Sequence, residues 1–299
     1  MKKISIVILN YNGLADTIDC LSSLKKIKQA GFVTEIIVVD NGSKEKIKVI
    51  KIRFPETVLI ESHENLGFAG GNNLGIKKAL ESKADYVMLL NNDTTVDPLI
   101  ILKLIEFSER NKDIGIVSPK IYFYPGQEYH KDRYKEEEKG KVIWYGGGKI
   151  DWNNLYASHL DVDKVDDFKN QTPAETDFAT GCCMLIKKEV FSKIGLLDDK
   201  YFLYFEDTDF SLRAKKAGIK VFFYPEGLVW HKNASSSGKP GSNLHIYYQT
   251  RNRLIFGMKY AFLRTKIALL RESIGDILKG GVKKSALIDF YSGKYGKKN

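Results

Sequence analysis

Cysteine is scarce, with three in 299 residues and two of them adjacent at Cys182 and Cys183. That excludes a disulfide-stapled scaffold and points to a reducing compartment. Neighbouring strand residues face opposite sides, so the pair does not share a metal and reads as buried packing. No run reaches the ~18 to 20 apolar residues that a membrane span needs. The opening MKKISIVILNYNG has a basic start and a short apolar run. Asn10 and Asn12 interrupt that run and no small-residue cleavage site follows, so it reads as a buried first strand rather than a signal peptide. A GxxxxGKS/T phosphate loop, HExxH, a CxxC pair, a GxSxG elbow and the Rossmann glycines after the first strand are all missing. Disorder is excluded by a composition that is 43% hydrophobic and 12% aromatic. What remains is a globular protein, expected in the cytoplasm.

The positive charge is concentrated at one end. Between Gly241 and Asn299 stand twelve Lys and Arg against three Asp and Glu, so this tail carries nearly all of the net +10. Such a tail suits an anionic surface such as phospholipid, a lipid diphosphate or nucleic acid. Apolar and charged residues alternate in LIFGMKYAFLRTKIALLRESIGDILKG, as in an amphipathic helix lying on a membrane or on the protein body. No zinc-finger spacing, recognition helix or RNA-binding aromatic motif accompanies the charge, so no nucleic-acid partner is expected.

The first half alternates strands and helices. Buried strands are predicted at Ile4 to Leu9, Glu35 to Val39 and Tyr86 to Leu90 and a short strand at Thr57 to Ser62, with helices at Asp16 to Ala30, before Ser82 and after Pro98. This rhythm gives an α/β fold with a mainly parallel central sheet and helices on both faces. Ligands then bind at the carboxyl ends of the strands, where the polar clusters fall. From about Tyr122 to Pro173 loops and short antiparallel strands are expected. A strand follows within Asp177 to Ile186, then helices near Lys188 to Ile194 and up to Ala217, and strands at Val221 to Tyr224 and Val229 to His231. Ser235 to Ser242 (SSSGKPGS) is linker-like.

Several residues at these strand ends could carry chemistry. Asp40 either forms the Asp-Asn-Gly-Ser turn or accepts a hydrogen bond from a ligand NH. Asp93 follows a buried strand among neutral amides, where a hard divalent ion bridging phosphate oxygens finds its carboxylate; the bland reading is a helix cap, a place that Asp97 already fills. Glu206, Asp207 and Asp209 exceed what capping needs, and crowded like charges beside aromatic rings raise one another's pKa, which suits a general base. His231 is either structural or a second metal ligand.

With those residues assembled, the sequence resembles the family 2 glycosyltransferases of the GT-A fold, in particular rhamnosyltransferase-like and galactofuranosyltransferase-like members. VILNYNG, IIVVDNGS, NLGFAGGNN, LLNNDT, FATGCCMLI, FLYFEDTDFSLRAKKAG and VWH occur in family order between Ile4 and about Phe256. The resemblance implies a catalytic domain over 1–240, with a nucleotide-binding half (1–120) and an acceptor-binding half (121–240); it does not cover the chain beyond Phe256, and the charge pattern marks 241–299 as a basic amphipathic helical tail. Asn10, Tyr11 and Asn12 would wall the base, and Asp40 would bond the ring NH of uracil or thymine. Asn65, Gly67 and Gly71 would admit ribose and diphosphate. Asn91-Asn92-Asp93 occupies the place of the family's Asp-x-Asp, so Asp93 would hold Mg²⁺ or Mn²⁺ with His231. Asp207 would be the catalytic base, while Gly181, Cys182 and Glu206 would border the acceptor. The family's diphosphate Arg has no counterpart at Asn72, which assigns that contact to Arg251 or Arg253. The implied activity is inverting, metal-dependent transfer from a UDP- or dTDP-sugar to a saccharide or lipid-linked saccharide in surface polysaccharide synthesis, with peripheral contact to an anionic membrane. The competing readings are a non-catalytic nucleotide-sugar-binding protein of the same fold and a sugar-nucleotide pyrophosphorylase, for which NYNG lacks the Gly-rich basic loop.

Overall fold

Ile4, Ile6 and Ile8 pack into one apolar layer and Val7 into another, so the first strand is buried on both sides. That is why its sequence is a continuous apolar run rather than an alternating one. The computed structural model describes residues 1–45, 47–169, 172–233 and 241–298. Strands β1 (Lys2–Asn10), β2 (Phe32–Asn41), β3 (Val58–Ser62) and β4 (Tyr86–Asn91) pair in parallel in the order β3-β2-β1-β4. The crossovers carry helices α1 (Leu14–Leu24), α2 (Val49–Arg53) and α3 (Gly67–Glu81). The order reverses between β1 and β4, so the carboxyl ends of these strands open a crevice. Asn10 lies in register with Asp40, and Leu9 with Asn91.

Beyond β4 come β5 (Thr94–Val96), α4 (Ile100–Arg110), β6 (Ile114–Phe123), β7 (Ile143–Tyr145) and the hairpin strands β8 (Gly148–Asp151) and β9 (Tyr156–His159). Then follow β10 (Ala174–Glu175), β11 (Cys183–Lys187), α5 (Lys188–Ile194), α6 (Glu206–Lys216) and β12 (Lys220–His231). The sheet continues as β4-β11-β6-β12-β10, with β11 antiparallel to both neighbours and β6 parallel to β12. The fold is therefore α/β, with a central, mostly parallel sheet covered on both faces. Residue 120, the sequence-drawn border between the two halves, lies inside β6.

Three elements differ from the sequence reading. β6 was not anticipated, because Gly115 and Pro119 interrupt its apolar pattern; the register of β12 shifts between Tyr224 and Leu228, opposite Pro119 and Lys120. That irregularity accommodates a proline inside a sheet and joins two expected short strands into one. α1 ends at Leu24 instead of Ala30, and the Lys28 N–H donates to the Pro98 carbonyl (2.9 Å), so a tertiary contact draws the chain off the helix. α3 starts within the glycine-rich segment, at Gly67.

The tail folds as α7 (Asn243–Tyr260), α8 (Leu263–Lys279) and α9 (Gly281–Tyr291), so the single expected amphipathic helix is two, broken at Ala261 and Phe262. The linker-like SSSGKPGS segment lies outside the described residues up to Pro240, and the Ser242 hydroxyl caps α7 by accepting the His245 N–H (3.2 Å). No helix among the described residues is long and apolar enough to cross a membrane.

The fully buried carboxylate of Asp209 ties this tail to α6. It accepts from Arg213 Nε (2.7 Å), Lys259 Nζ (2.7 Å), the Tyr260 hydroxyl (2.7 Å) and the Tyr201 hydroxyl (3.3 Å). Burial pushes its pKa up, but the bonds from Lys259 and Arg213 outweigh that and hold it below the usual carboxylate value. A lowered folded-state pKa stabilises the fold above the unfolded-state pKa, and the contribution is lost as pH falls through the folded value. Asp209→Ala removes the acceptor shared by two cations and two phenols, leaving Arg213 only the Ile194 and Leu196 carbonyls and Lys259 only Asp198, and is expected to cost about 3 to 5 kcal/mol. Urea unfolding at neutral pH measures this, and the gap to wild type should narrow in acid.

Candidate active site

The crevice is a cavity of about 880 Å³. That volume is within the range of sites that enclose a small-molecule ligand. One wall comes from the ends of β1, β2 and β4. Asn41, last in β2, donates from Nδ2 to Asn65 Oδ1 (3.0 Å) and to the Gly67 carbonyl (3.0 Å), while its Oδ1 accepts the Leu66 N–H (2.9 Å). Asn65, Gly67 and Tyr11 line the cavity. Gly67 has φ of +75°, and a Cβ there would lie 2.3 Å from the Phe202 carbonyl oxygen, so only glycine admits both the turn and that contact. Gly71 does not line the cavity; a Cβ on it would lie 2.4 Å from Leu9 Cδ1, so its smallness seats α3 on β1.

Asn10, Asn12 and Asp40 also stand behind the wall rather than in it. Asn10 Nδ2 donates to Asp40 Oδ1 (3.1 Å) and Ser43 Oγ (3.1 Å), and its Oδ1 accepts from the Thr17 hydroxyl (2.9 Å). Asn12, at φ of +51°, accepts the Lys44 N–H on Oδ1 (2.9 Å) and donates its own N–H to Ser43 Oγ (2.9 Å). These side chains latch the turn after β1 to the turn after β2 and hold Tyr11 between them.

At the end of β4, Asn91 and Asn92 reach the cavity edge, and Asn92 Nδ2 also bonds the Gly13 carbonyl (3.2 Å) and Thr17 Oγ1 (3.1 Å). Pairing of β5 with β12 sets Thr94 opposite His231. That register brings His231 Nε2 to 3.1 Å from Asp93 Oδ1, both side chains being buried and both lining the cavity. The Trp144 ring packs edgewise on the imidazole at 4.5 Å between centroids. His231 Nδ1 is buried with no hydrogen-bond partner among the described residues.

The residues fit a divalent cation. An octahedral ion with bonds of about 2.1 Å holds adjacent ligands roughly 3 Å apart, close to the Asp93–His231 separation. Such an ion keeps positions for phosphate oxygens and water, so two protein donors are enough. Among the described residues no group of three His, Cys, Asp or Glu gathers as a closed cage.

Asp207, in the first turn of α6, lines the same cavity. Its Oδ2 accepts the Gly181 N–H (2.9 Å), and its Oδ1 accepts the N–H (2.6 Å) and hydroxyl (3.1 Å) of Thr208. Burial raises its pKa above the ordinary aspartate value, against the lowering effect of these bonds. Neighbouring Glu206 is pushed well above the usual glutamate value by burial and then by the Asp207 charge, and its Oε2 has no hydrogen-bond partner among the described residues. Gly181, Cys182 and Glu206 line the cavity with this carboxylate. His159, kept neutral by burial that lowers its pKa to about 4, walls a smaller adjoining space of about 130 Å³ that Asp207 and Glu206 share.

The segment leading into α6 is strained. Phe202, Tyr204 and Phe205 all have positive φ, of +64°, +70° and +74°. Such backbone persists only where its surroundings over-determine it. Here α7 does so: Asn252 Nδ2 donates to the carbonyls of Tyr201 (2.8 Å), Leu203 (2.7 Å) and Tyr204 (2.9 Å). Arg251, fully buried, donates to the carbonyls of Gly296 (2.7 Å), Lys200 (3.2 Å) and Tyr201 (3.0 Å). This corrects the assignment of Arg251 and Arg253 to a diphosphate. Arg251 is spent on backbone, and Arg253 bonds the Asn154 carbonyl (2.7 Å) and Glu272 (2.9 Å), away from the cavity.

Among the described residues, the Lys and Arg that line the cavity are instead Lys297 and Lys298. Lys298 N–H donates to the Tyr248 hydroxyl (2.9 Å), and Lys297 Nζ is 3.6 Å from Glu64. The sequence reading missed both, together with Asn41, His159 and Tyr248. The basic tail was the available signal, but nothing local says that its last residues turn back to the strand ends.

A family model, Glycosyl transferase family 2, matches residues 5–195. Among relatives, the low-salt glycan biosynthesis hexosyltransferase Agl10 of Haloferax volcanii is 26% identical over 84% of this chain and 74% of its own length. The N-acetylglucosaminyl-diphospho-decaprenol L-rhamnosyltransferase of Mycobacterium tuberculosis is 25% identical over 72% of each chain. The dTDP-rhamnosyl transferase RfbF of Shigella flexneri is 25% identical over 83% of this chain and 78% of its own. Among solved structures, GalNAc-T7 with UDP, GalNAc and Mn²⁺ superposes with a TM-score of 0.69 at 17% identity, covering 99% of this chain and 55% of that one. This last likeness is one of fold.

Proposed function

Because the chain belongs to glycosyl transferase family 2, we propose that it moves a sugar, with inversion, from a UDP- or dTDP-sugar to a hydroxyl of a saccharide or lipid-linked saccharide in surface glycan synthesis. One observation carries the reading: the Asp93–His231 pair and the Asp207 carboxylate open on one cavity. Relatives named for a diphospho-decaprenol acceptor and for dTDP-rhamnosyl transfer support the substrate classes. The enzyme would work in the cytoplasm, at the inner face of the membrane when the acceptor is lipid-borne.

Asp93 and His231 would hold Mg²⁺ or Mn²⁺, which supplies Lewis-acid stabilisation of charge on the leaving diphosphate. Asp207 accepts the proton of the acceptor hydroxyl as its oxygen attacks the anomeric carbon from the side opposite the departing phosphate, which inverts the configuration. The Gly181 and Thr208 N–H groups fix the carboxylate for that attack, and its raised pKa makes it a stronger base than an exposed aspartate.

Lys297 and Lys298 would supply positive charge toward the diphosphate, in place of an arginine at Asn72, Lys297 by turning from Glu64 and Lys298 by turning from the face of the Tyr247 ring. Lys297→Ala with Lys298→Ala is expected to raise KM for the donor about tenfold with little change in kcat, a loss of ~1.4 kcal/mol of uniform binding. Steady-state kinetics over donor concentration measures it. The transfer itself is tested by release of UDP or dTDP from candidate sugar nucleotides. Release that requires a saccharide acceptor supports the proposal, and donor binding without turnover in any acceptor panel refutes it.

A further inference from the structure

Helix α8 is mounted with its apolar side outward. The residues it buries are Thr265, Leu269, Ser273 and Asp276, three of them polar. Its exposed large side chains are Leu263, Ile267, Leu270, Ile274 and Leu278, with Leu263 73% and Leu278 82% exposed. At about 100° per residue these five fall within an arc of roughly 80°, along a stripe about 22 Å long. Phe262, 73% exposed, extends it at the N-terminal end. A solvated stripe of this size on an otherwise well-packed chain marks a surface that meets something apolar.

The charges say what that is. Arg264 and Arg271 lie along one edge of the stripe and Lys266 along the other. The two acids of α8 point away from it and are already paired, Glu272 with Arg253 (2.9 Å) and Asp276 with Lys283 (2.9 Å). A protein partner with a dry apolar face would leave the flanking cations unmatched, whereas anionic headgroups flank acyl chains on both sides of an in-plane helix.

We propose that α8 is an in-plane anchor whose stripe enters the acyl boundary of an anionic bilayer while Arg264, Lys266 and Arg271 meet lipid phosphates. The inference rests on the proposed lipid-linked acceptor for its purpose. The helix carries no catalytic or cavity residue, so its variants leave chemistry on soluble substrates unchanged.

Co-sedimentation of the full chain with vesicles tests it, using phosphatidylcholine with 30% phosphatidylglycerol against phosphatidylcholine alone. Wild type is expected to pellet with the anionic vesicles and to bind at least tenfold more weakly without the anionic lipid. Leu270→Glu with Ile274→Glu should abolish pelleting, and Arg264→Gln with Arg271→Gln should weaken it at least tenfold, each with an unchanged circular dichroism spectrum. Wild type remaining in the supernatant, or the Glu variant pelleting as well as wild type, overturns the anchor. So does a sedimentation-velocity dimer that the Glu variant dissolves without any vesicle binding, which assigns the stripe to a second copy. Acceptor-dependent diphosphate release in detergent-free buffer separates the two readings: its presence without vesicle binding sinks only the anchor, and vesicle binding without it sinks only the transferase proposal.

Discussion

Asp207→Asn is expected to lower kcat by about 10² to 10⁴-fold while leaving nucleotide affinity within twofold of wild type. The substitution keeps the shape of the side chain and removes its capacity to take a proton. One of the two N–H groups that held the carboxylate, Gly181 or Thr208, still meets an amide oxygen, while the other loses its acceptor to the new NH2, a cost confined to the start of α6 and not to the strand ends. Wild-type turnover should rise with pH along an acid limb displaced above the ordinary aspartate range, because burial raises the Asp207 pKa and only the ionised form is a base. Glu206 shares the site and the same direction of shift, so the limb belongs to the pair. The same linkage acts on stability with the opposite sense to Asp209. Carboxyls with raised folded-state pKa values favour the fold most below their unfolded values, and that contribution is lost as pH rises through the folded ones. Stopped-assay kcat from pH 5 to 9, for wild type and Asp207→Asn, measures the limb; a variant retaining a tenth of wild-type turnover removes Asp207 from the chemistry.

Asp93→Ala should lower kcat/KM by about 10² to 10³-fold, the scale of losing one group that stabilises transition-state charge. His231 then keeps its ring against Trp144 but faces the cavity without its carboxylate partner. Nucleoside diphosphate titrations by calorimetry should show wild-type binding strengthened by Mn²⁺ and variant binding indifferent to it. Ion-dependent binding that survives in Asp93→Ala places the cation elsewhere.

Much of this site was legible because it stands where buried strands end. A run such as IIVVDNGS announces both a strand and the polar turn that follows, and the β1, β2 and β4 ends meet because parallel crossovers put them side by side. Chemistry was harder to assign than position. Asn10, Asn12 and Asp40 have the residue types of ligand contacts, yet their hydrogen bonds close on one another, and only the fold reveals that Tyr11 takes the wall. Arg251 misled for the reverse reason. A cation in a basic tail suggests an anion, whereas this one satisfies the Lys200 and Tyr201 carbonyls that lead into the left-handed turns and the Gly296 carbonyl. β6 was hidden because Pro119 is tolerated only by an irregular register with β12, a long-range fact absent from any local window. The orientation of α8 was equally invisible: periodicity marks an apolar face without saying whether it turns toward the core or away.

The arrangement is tested most directly by a crystal structure of Asp207→Asn with a UDP- or dTDP-sugar and Mn²⁺. The expected result is an anomalous manganese peak bound by Asp93, His231 and diphosphate oxygens, with the anomeric carbon of the intact donor facing residue 207. A nucleotide seated outside the cavity, or a sugar whose anomeric carbon is screened from residue 207, contradicts it.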